Sequence, residues 1–264
     1  MLPTVKLGKL NVTRLIIGGN PFSGGSHFSS KLDKEMRNWY TVERIKQTLR
    51  EAEQAGLNTF LGRADSHIMR MLNEYRNQRG RVQWIAQTAP EMASVVANID
   101  RAVANGASAV FLHGGMTDKM FRAGDFDRLR PWVDHIREKG VPCGMGTHNT
   151  DVLRHAVETR LPVDFFMTCF YDICLRGEVY LEEDRQAMTD LIRQIGTPCI
   201  AYKIMAASRN QPQEAFEYAY RRIKATDAVC VGVFTKHQAK QVAEDAEFCR
   251  RFGPLSQPAA LPAR

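Results

Sequence analysis

Three of the seven histidines follow apolar runs that are typical of buried β-strands. His67 comes shortly after "LNTFL", His113 closes "SAVFLH", and His148 closes "VPCGMGTH". Neutral imidazoles ligate zinc, manganese or iron, and a metal with an open coordination position polarises a carbonyl group or activates water. We expect these three histidines either to hold such a divalent metal or to transfer protons without one.

Charged side chains follow the same kind of run. The stretch "FLGRADSHIM" places Arg63, Asp65 and His67 directly after an apolar segment, and Lys203 follows "CIAY". A lysine that leaves a buried strand can have a lowered pKa and act as a base or Schiff-base nucleophile, or it can be a fixed cation for a substrate oxyanion. The expected catalytic residues are therefore Asp65, His67, His113, His148 and Lys203.

Polar residues follow the other strand-like runs as well. We expect five of them to contact substrate: Asn20, Arg63, Gln87, Asn149 and Tyr171. Thr235 and Lys236 follow the last run and are expected to open a helix, whose first N–H groups would bind an anion such as a cofactor phosphate. Structural roles remain open for all of these residues: a hydrogen-bonded histidine, a lysine that reaches the surface, or a helix cap at Thr235.

Eight apolar runs recur along the chain, at residues 14–19, 57–61, 82–87, 108–113, 141–148, 163–168, 197–203 and 228–233. Segments with helical spacing lie between most of them. In residues 41–56, for example, Val42, Ile45 and Leu49 share one face and Gly56 is a natural stop. Eight strand–helix units in series predict a (β/α)8 TIM barrel, with the site at the carboxyl ends of the strands. An open doubly wound sheet is the alternative, but no GxGxxG motif opens the first helix.

Composition limits the functional classes. The 264 residues are 44% hydrophobic, enough for a large core, and we expect a single barrel over 1–254 with a loosely held tail at 255–264. The net charge of +7 is dispersed along helical segments, which favours a polar or anionic small-molecule substrate over nucleic acid. No run has the length of a membrane span, and the six cysteines form no CxxC pair. We therefore expect a cytoplasmic protein without disulfides; a homo-oligomer is left open.

Four segments resemble the aldo-keto reductase superfamily in the same order along the chain. "VKLGKLNVTRLIIGGNPFSGG" resembles the family's "LGxTGLxVSxLGLGTxxFGG", and "AEQAGLNTF" stands where the family has "AxxxGINxFDTA". "LHGG" resembles "LHxP", and "VCVGVFTKHQAKQVAED" resembles the closing "xIPGxRxxxQLxEN". The resemblance implies an aldo-keto-reductase-like barrel, and it implies that His113 is the family's substrate-pocket histidine.

The residues that carry the family's chemistry are mostly absent. Its reductases use an Asp, a Tyr, a Lys and a His, and the Tyr donates a proton to the substrate oxygen. Here Leu61 stands at the Asp position, residues 65–67 stand where the Tyr is expected, and Gln87 stands near the Lys position. Only His113 remains of the four. Phe234 stands where a phosphate-binding basic residue is usual, although the Thr and Lys after it partly restore an anion site.

Three hypotheses follow from these residues. The first is a non-redox enzyme, such as a lyase, an isomerase or epimerase, or a hydrolase, that acts on a small carbonyl or sugar-derived substrate with or without a divalent metal. The second is a divergent NADP-dependent reductase, for which the usual proton donor is missing. The third is a non-catalytic binding protein on the same scaffold. Such a protein would not need so many ionisable side chains at the carboxyl ends of the strands.

Overall fold

A computed structural model describes residues 1–254, apart from the side chains of residues 175 and 176. The expected C-terminal tail, 255–264, lies outside the described residues. The chain begins with an antiparallel hairpin, β1 (Thr4–Leu7) and β2 (Leu10–Thr13), in which Thr4 pairs with Thr13. Sequence analysis did not predict this hairpin, because its strands are short and its sequence carries several polar residues.

Eight parallel strands then close a barrel in the order β10-β3-β4-β5-β6-β7-β8-β9. Each overlaps one of the eight apolar runs, so the prediction of a (β/α)8 barrel is confirmed and the open doubly wound sheet is excluded. The strands are β3 (Leu15–Gly18), β4 (Thr59–Arg63), β5 (Gln83–Gln87), β6 (Ala109–Leu112), β7 (Cys143–Thr147), β8 (Phe165–Cys169), β9 (Cys199–Tyr202) and β10 (Ala228–Gly232).

Helices follow the strands on the outside of the barrel. Six segments show helical spacing in the sequence, residues 41–56, 91–106, 126–140, 181–196, 211–227 and 235–253. Each contains a helix, although the last helix begins at Gln241 rather than near Thr235. The helices are α1 (Ser30–Trp39), α2 (Val42–Gln54), α3 (Ser66–Asn77), α4 (Val95–Ala104), α5 (Gly114–Arg122), α6 (Arg130–Glu138), α7 (Thr150–Glu158), α8 (Ile173–Arg176), α9 (Glu182–Gln194), α10 (Pro212–Arg222) and α11 (Gln241–Phe252), with 3-10 turns at Asn20–Ser23 and Phe126–Leu129.

Helix α2 shows why these segments are helical. The Thr41 hydroxyl caps its first turn by accepting the Arg44 N–H, and Ile45 and Leu49 are fully buried on the face that packs inward. Gly56 follows with a φ of 95°, a left-handed conformation that glycine adopts without a steric penalty. The chain is therefore free to turn back toward β4.

The two ends of the barrel differ. Val5, Leu7 and Val12 of the hairpin belong to the same buried cluster as the inward side chains of the barrel, such as Ile16 and Phe165. The hairpin thus closes the end at which the strands begin, and leaves polar chemistry to the end at which they finish. None of the described helices is long and apolar enough to cross a membrane.

Candidate active site

A cavity of about 640 Å³ opens at the carboxyl ends of the barrel strands. Its walls come from the loops after most strands and from inward side chains such as Phe111 and Met167. Of the residues expected from the sequence to form the site, six line this cavity: Asn20, Arg63, Gln87, His113, His148 and Lys203. The structure thus brings together two of the three strand-end histidines and the strand-end lysine.

His148 is held by a buried carboxylate. Its Nδ1 lies 2.8 Å from Oδ2 of Asp118, a residue of α5 that is 0% exposed, and its backbone N–H donates to the same oxygen at 3.1 Å. The Thr147 hydroxyl donates to Oδ1 at 2.5 Å. Burial raises the pKa of Asp118, but these hydrogen bonds outweigh burial and leave the pKa below its ordinary value. Asp118 is therefore an ionised partner that fixes the His148 ring.

Two glycines allow α5 to approach His148 so closely. A Cβ on Gly146 would lie 2.9 Å from the backbone nitrogen of Gly114, and a Cβ on Gly114 would lie 3.1 Å from Cε1 of His148. The first turn of α5 therefore packs directly against the end of β7. The Thr117 hydroxyl donates to the carbonyls of both glycines, which fixes this contact and positions the next residue, Asp118.

Cys174 of α8 completes a compact group with this pair. Its Sγ lies 3.0 Å from Oδ2 of Asp118 and 3.2 Å from Nδ1 of His148, and burial raises the thiol pKa above its ordinary value. Within residues 1–254, Asp118, His148 and Cys174 form a group whose ligand atoms all lie within 4.8 Å of one another. Carboxylate, imidazole and thiolate are zinc ligands, and two anions would balance a divalent charge. The group could hold a metal ion.

His113 lines the same cavity but has a different environment. Its backbone N–H donates to the Thr88 hydroxyl at 2.9 Å, whereas its buried Nδ1 has no hydrogen-bond partner among the described residues. Burial is the main cause that lowers its pKa to about 4, and the Arg63 guanidinium acts in the same direction. His113 is therefore a neutral imidazole at physiological pH.

Lys203 stands at the end of β9, and its side chain is 8% exposed. Its Nζ lies 3.4 Å from the Tyr180 hydroxyl and 3.7 Å from Oε2 of Glu178. Burial lowers the pKa of Lys203, and Glu178 opposes this only in part. A φ of 58° places its backbone in the left-handed region, which is uncommon for a residue other than glycine.

Arg63 and Asn20 both line the cavity. The Arg63 guanidinium is paired with Glu91 and lies 3.5 Å from a carboxylate oxygen of Asp65, so its charge is already balanced. The Asn20 amide nitrogen lies 3.4 Å from Nε2 of His27. Gln87 also lines the cavity, at the end of β5 and next to Arg63 in the strand register.

The structure separates Asp65 and His67 from the cavity. Asp65 caps α3, and its side chain accepts the Ile68 N–H at 2.8 Å. His67 lies in the first turn of α3 and is exposed to solvent. Neither lines the cavity, because the helix starts directly after β4 and turns its first side chains outward. The three-histidine metal site expected from the sequence is therefore not assembled, and Asp65 is a helix cap rather than a base in the cavity.

Asn149 and Tyr171, expected to contact substrate, make structural contacts outside the cavity lining. The side-chain oxygen of Asn149 accepts hydrogen bonds from the N–H groups of Asp151 and Val152 at the start of α7. The side-chain nitrogen of Asn149 donates to Asp172 at 2.6 Å. Tyr171 is buried, and its hydroxyl accepts a hydrogen bond from Asn210 at 2.8 Å. Both residues support the loops around the cavity.

The expected helix start at Thr235 and Lys236 is also corrected. These residues lie in a turn between β10 and α11, with Thr235 N–H donating to the Tyr40 hydroxyl at 3.1 Å. The N–H of Phe234 donates to the Gln241 side chain at 2.8 Å, and Lys236 pairs with Glu35 at 2.5 Å. The groups proposed to bind a cofactor phosphate are thus already occupied by contacts within the protein.

Sequence reasoning missed Asp118 and Cys174. The stretch "HGGMTDKMF" gave no strand-end signal for Asp118, because this residue lies inside a helix that begins immediately after His113. The one signal for Asp118 in this stretch was its place next to Thr117 on a helix, and both residues are buried in the structure. Cys174 lies on a short helix distant from His148 in sequence, and only the barrel geometry brings the two together.

No protein-family model matches the sequence, and no curated protein matches it. Solved structures do match the fold. A candidate aldo-keto reductase from Pseudomonas aeruginosa superposes with a TM-score of 0.62 at 16% identity, over 93% of this chain and 94% of the other. An N-acetylmannosamine-6-phosphate 2-epimerase from Clostridium perfringens gives 0.58 at 13% identity, over 87% and 92% of the two chains.

A third similar structure is the dihydropteroate synthase of Yersinia pestis, with a TM-score of 0.55 at 9% identity over 94% of this chain and 96% of the other. The chain shares its barrel with all three. Their different chemistries and low identities show that the likeness is one of fold. Four sequence segments suggested a similarity to aldo-keto reductases, and the solved structures support that similarity for the fold alone.

Proposed function

We propose that this protein is a non-redox enzyme that moves a proton on a small carbonyl or sugar-derived substrate, as an isomerase, epimerase or lyase does. The observation that carries the proposal is the contact between buried, ionised Asp118 and His148, at the wall of a cavity large enough for such a substrate. A carboxylate that fixes an imidazole and stabilises its charged form is a common arrangement for a general acid–base.

The hydrogen bond from Nδ1 of His148 to Asp118 assigns the proton to Nδ1 and leaves Nε2 as the acceptor. In the proposed step, Nε2 takes a proton from the carbon next to the substrate carbonyl, and the electron pair of that C–H bond moves toward the carbonyl oxygen. Asp118 stabilises the resulting imidazolium. The proton then returns to carbon or leaves with a departing group, so no oxidant or reductant is consumed.

His113 supports the developing oxyanion in this proposal. His113 is neutral, because its pKa is lowered to about 4, and it can donate a hydrogen bond without adding a full charge. Lys203 contributes a positive charge to the same cavity. Asp65 and His67 take no part, since they lie outside it.

An NADP-dependent reductase is less well supported. Leu61 and Gln87 occupy positions at which aldo-keto reductases keep an Asp and a Lys. Tyr202 lines the cavity, but burial raises its pKa well above the ordinary value, which makes it a poor proton donor. The N–H groups after β10 that would face a cofactor phosphate are already bonded within the chain.

A metal-assisted form of the same chemistry is a second candidate, favoured by the separations of 2.8 to 3.2 Å among the donor atoms of Asp118, His148 and Cys174. Zinc is the ion that this donor set suits best. A zinc ion held there would supply a Lewis acid for the substrate carbonyl. The thiol would have to lose its proton, so metal uptake would release acid.

The test is exchange of substrate hydrogen with solvent. The purified protein is incubated in D2O with a panel of small aldoses, ketoses, their phosphates and uronates, and deuterium incorporation next to the carbonyl is followed by NMR. We expect incorporation for at least one class, and loss of about two orders of magnitude in rate for His148→Gln and Asp118→Asn. His67→Ala is the matched control and should keep the full rate.

Three results would contradict the proposal: no incorporation with any member of the panel, an unchanged rate in His148→Gln, or carbonyl-dependent consumption of NADPH. Elemental analysis of the same samples separates the two forms of the mechanism. Stoichiometric zinc that is lost in Cys174→Ser, together with activity, would favour the metal-assisted form. Full activity without metal would favour proton transfer by His148.

A further inference from the structure

The charged side chains that line the cavity are all positive. Among the described residues that line it, Arg63 and Lys203 carry full positive charges, and none is an Asp or a Glu. Arg63 is already balanced by Glu91 and Asp65. Lys203 is not balanced to the same degree, because its nearest carboxylate oxygen lies 3.7 Å away. A buried cation with so weak a partner favours binding of an anion.

Glu178 is the carboxylate that partly meets this charge. It lies in the loop between α8 and α9, outside the cavity lining, and its side chain is 39% exposed. One oxygen lies 2.7 Å from Nδ1 of His27, and the other accepts a hydrogen bond from Tyr180 and faces Lys203. Glu178 thus meets Lys203 from outside the cavity lining, whereas a ligand would meet Lys203 within the cavity.

The backbone that follows Lys203 is unusual. Ala206, Ala207 and Ser208 have φ values of 46°, 52° and 70°, in the left-handed region that costs roughly 1–2 kcal/mol for each residue other than glycine. Strain of this kind concentrates at ligand sites. The N–H groups that have no acceptor within residues 1–254 include those of four cavity-lining residues: Ile204, Met205, Ala207 and Ser208. Successive N–H groups in such turns form concave anion sites.

We propose that Lys203 and the backbone of residues 204–208 bind an anionic substituent of the substrate, a phosphate or a carboxylate, and that Glu178 partly neutralises Lys203 until this substituent arrives. The inference rests on the proposed function in one respect, since it takes the anion to be part of the substrate. It places the anion at the end of β9 and the reacting carbon near His148 at the end of β7.

Binding of inorganic phosphate tests the site without any need for turnover. Calorimetric titration at constant ionic strength should give one saturable site per chain. Lys203→Met should weaken phosphate binding by at least about tenfold, because a charge-assisted hydrogen bond is lost. Glu178→Gln should strengthen it by about two- to fivefold, because a competing carboxylate is removed.

Two variants serve as controls. Lys203→Arg keeps the charge and should retain measurable phosphate binding, which separates loss of charge from loss of fold. Lys236→Met removes a surface lysine that pairs with Glu35 outside the cavity lining, and it should leave the affinity unchanged. Absence of saturable phosphate binding by the natural protein, or unchanged affinity in Lys203→Met, would overturn the inference.

Competition identifies the source of the anion. Glucose 6-phosphate or glucuronate should displace phosphate, whereas neutral glucose should not, and the stronger of the two displacers identifies the substituent. Displacement by NADPH alone would overturn the proposal, since the site would then belong to a cofactor. Asp118→Asn separates this inference from the proposed function: it should slow deuterium exchange by about two orders of magnitude and leave phosphate affinity within about twofold.

Discussion

At the scale of single residues, the two cavity histidines are distinguished by their partners. His148 has an ionised carboxylate at 2.8 Å from its ring, whereas His113 has a buried nitrogen without a partner in the described chain. Environments that differ in this way give similar side chains separate acid–base roles. The sequence identified both histidines from their positions after strands, but it could not assign the roles, because Asp118 comes from a different element.

The lowered pKa of His113 predicts a pH dependence of stability. Its pKa is about 4 in the folded protein against 6.5 for an ordinary histidine, so the unfolded chain binds the proton more readily. The free energy of unfolding should therefore rise between about pH 4 and pH 6.5 and stay level above that range. The contribution of this residue is on the order of 3 kcal/mol.

Urea unfolding at pH 5 and pH 7 measures this effect. His113→Gln keeps a polar side chain of similar reach but cannot titrate, so the difference in unfolding free energy between the two pH values should shrink in the variant. NMR titration of the imidazole resonances provides the direct check. A His113 pKa at or above 6 would show that its burial does not have the expected effect.

At the scale of elements, sequence periodicity located all eight barrel strands and six of the helices, because buried strands need continuous apolar runs and amphipathic helices need a repeating face. Periodicity did not locate the exact residues at which strands end and helices begin. β4 continues to Arg63 and α3 begins at Ser66, so the short connection places Asp65 at the cap and His67 on the outer face. A shift of a few residues at a strand end decides whether a side chain meets the cavity, and such shifts depend on contacts absent from the local sequence.

The assignment of Asp65 as a cap yields a prediction at this scale. Asp65→Ala removes the acceptor of the Ile68 N–H and should destabilise the protein by about 1 kcal/mol, without changing the rate of deuterium exchange. Asp65→Asn, which can still cap the helix, should be nearly neutral. Chemical denaturation gives the first quantity and the exchange assay the second.

A different outcome would restore the role expected from the sequence. If Asp65→Ala lost activity while its stability stayed within a few tenths of a kcal/mol of the natural protein, Asp65 would act in the chemistry. Equal losses of stability in Asp65→Ala and Asp65→Asn would instead point to the contact with Arg63, since both variants lose that carboxylate.

At the scale of the whole molecule, the barrel has one end that closes it and one end that carries polar groups. The hairpin β1–β2 fills the end where the strands begin, and the cavity lies where they finish. Polar residues buried away from the cavity are therefore expected to hold the barrel together. Arg14 is the largest of them: it is 2% exposed and lies between the hairpin and β3.

Arg14 links segments that are distant in sequence. Its guanidinium donates at 2.9 Å to each of three backbone carbonyls, those of Lys224, Asp227 and Gly253, and so ties the first barrel strand to the last strand and the final helix. Arg14→Met fills a similar volume but leaves these carbonyls without a donor. Since each buried unpaired group costs roughly 1–3 kcal/mol, the variant should lose about 3 kcal/mol or more. Its Tm should fall by roughly 6–12 °C at 2–4 °C per kcal/mol.

The measurement is thermal unfolding of Arg14→Met, with Arg250→Met as the control variant. Arg250 is an exposed arginine on α11 that donates to one backbone carbonyl, so its loss should lower the Tm far less. Phosphate affinity should be unchanged in both variants, because neither residue lines the cavity. A Tm for Arg14→Met within 2 °C of the natural protein would mean that the hairpin and the hydrophobic core close the barrel without this arginine.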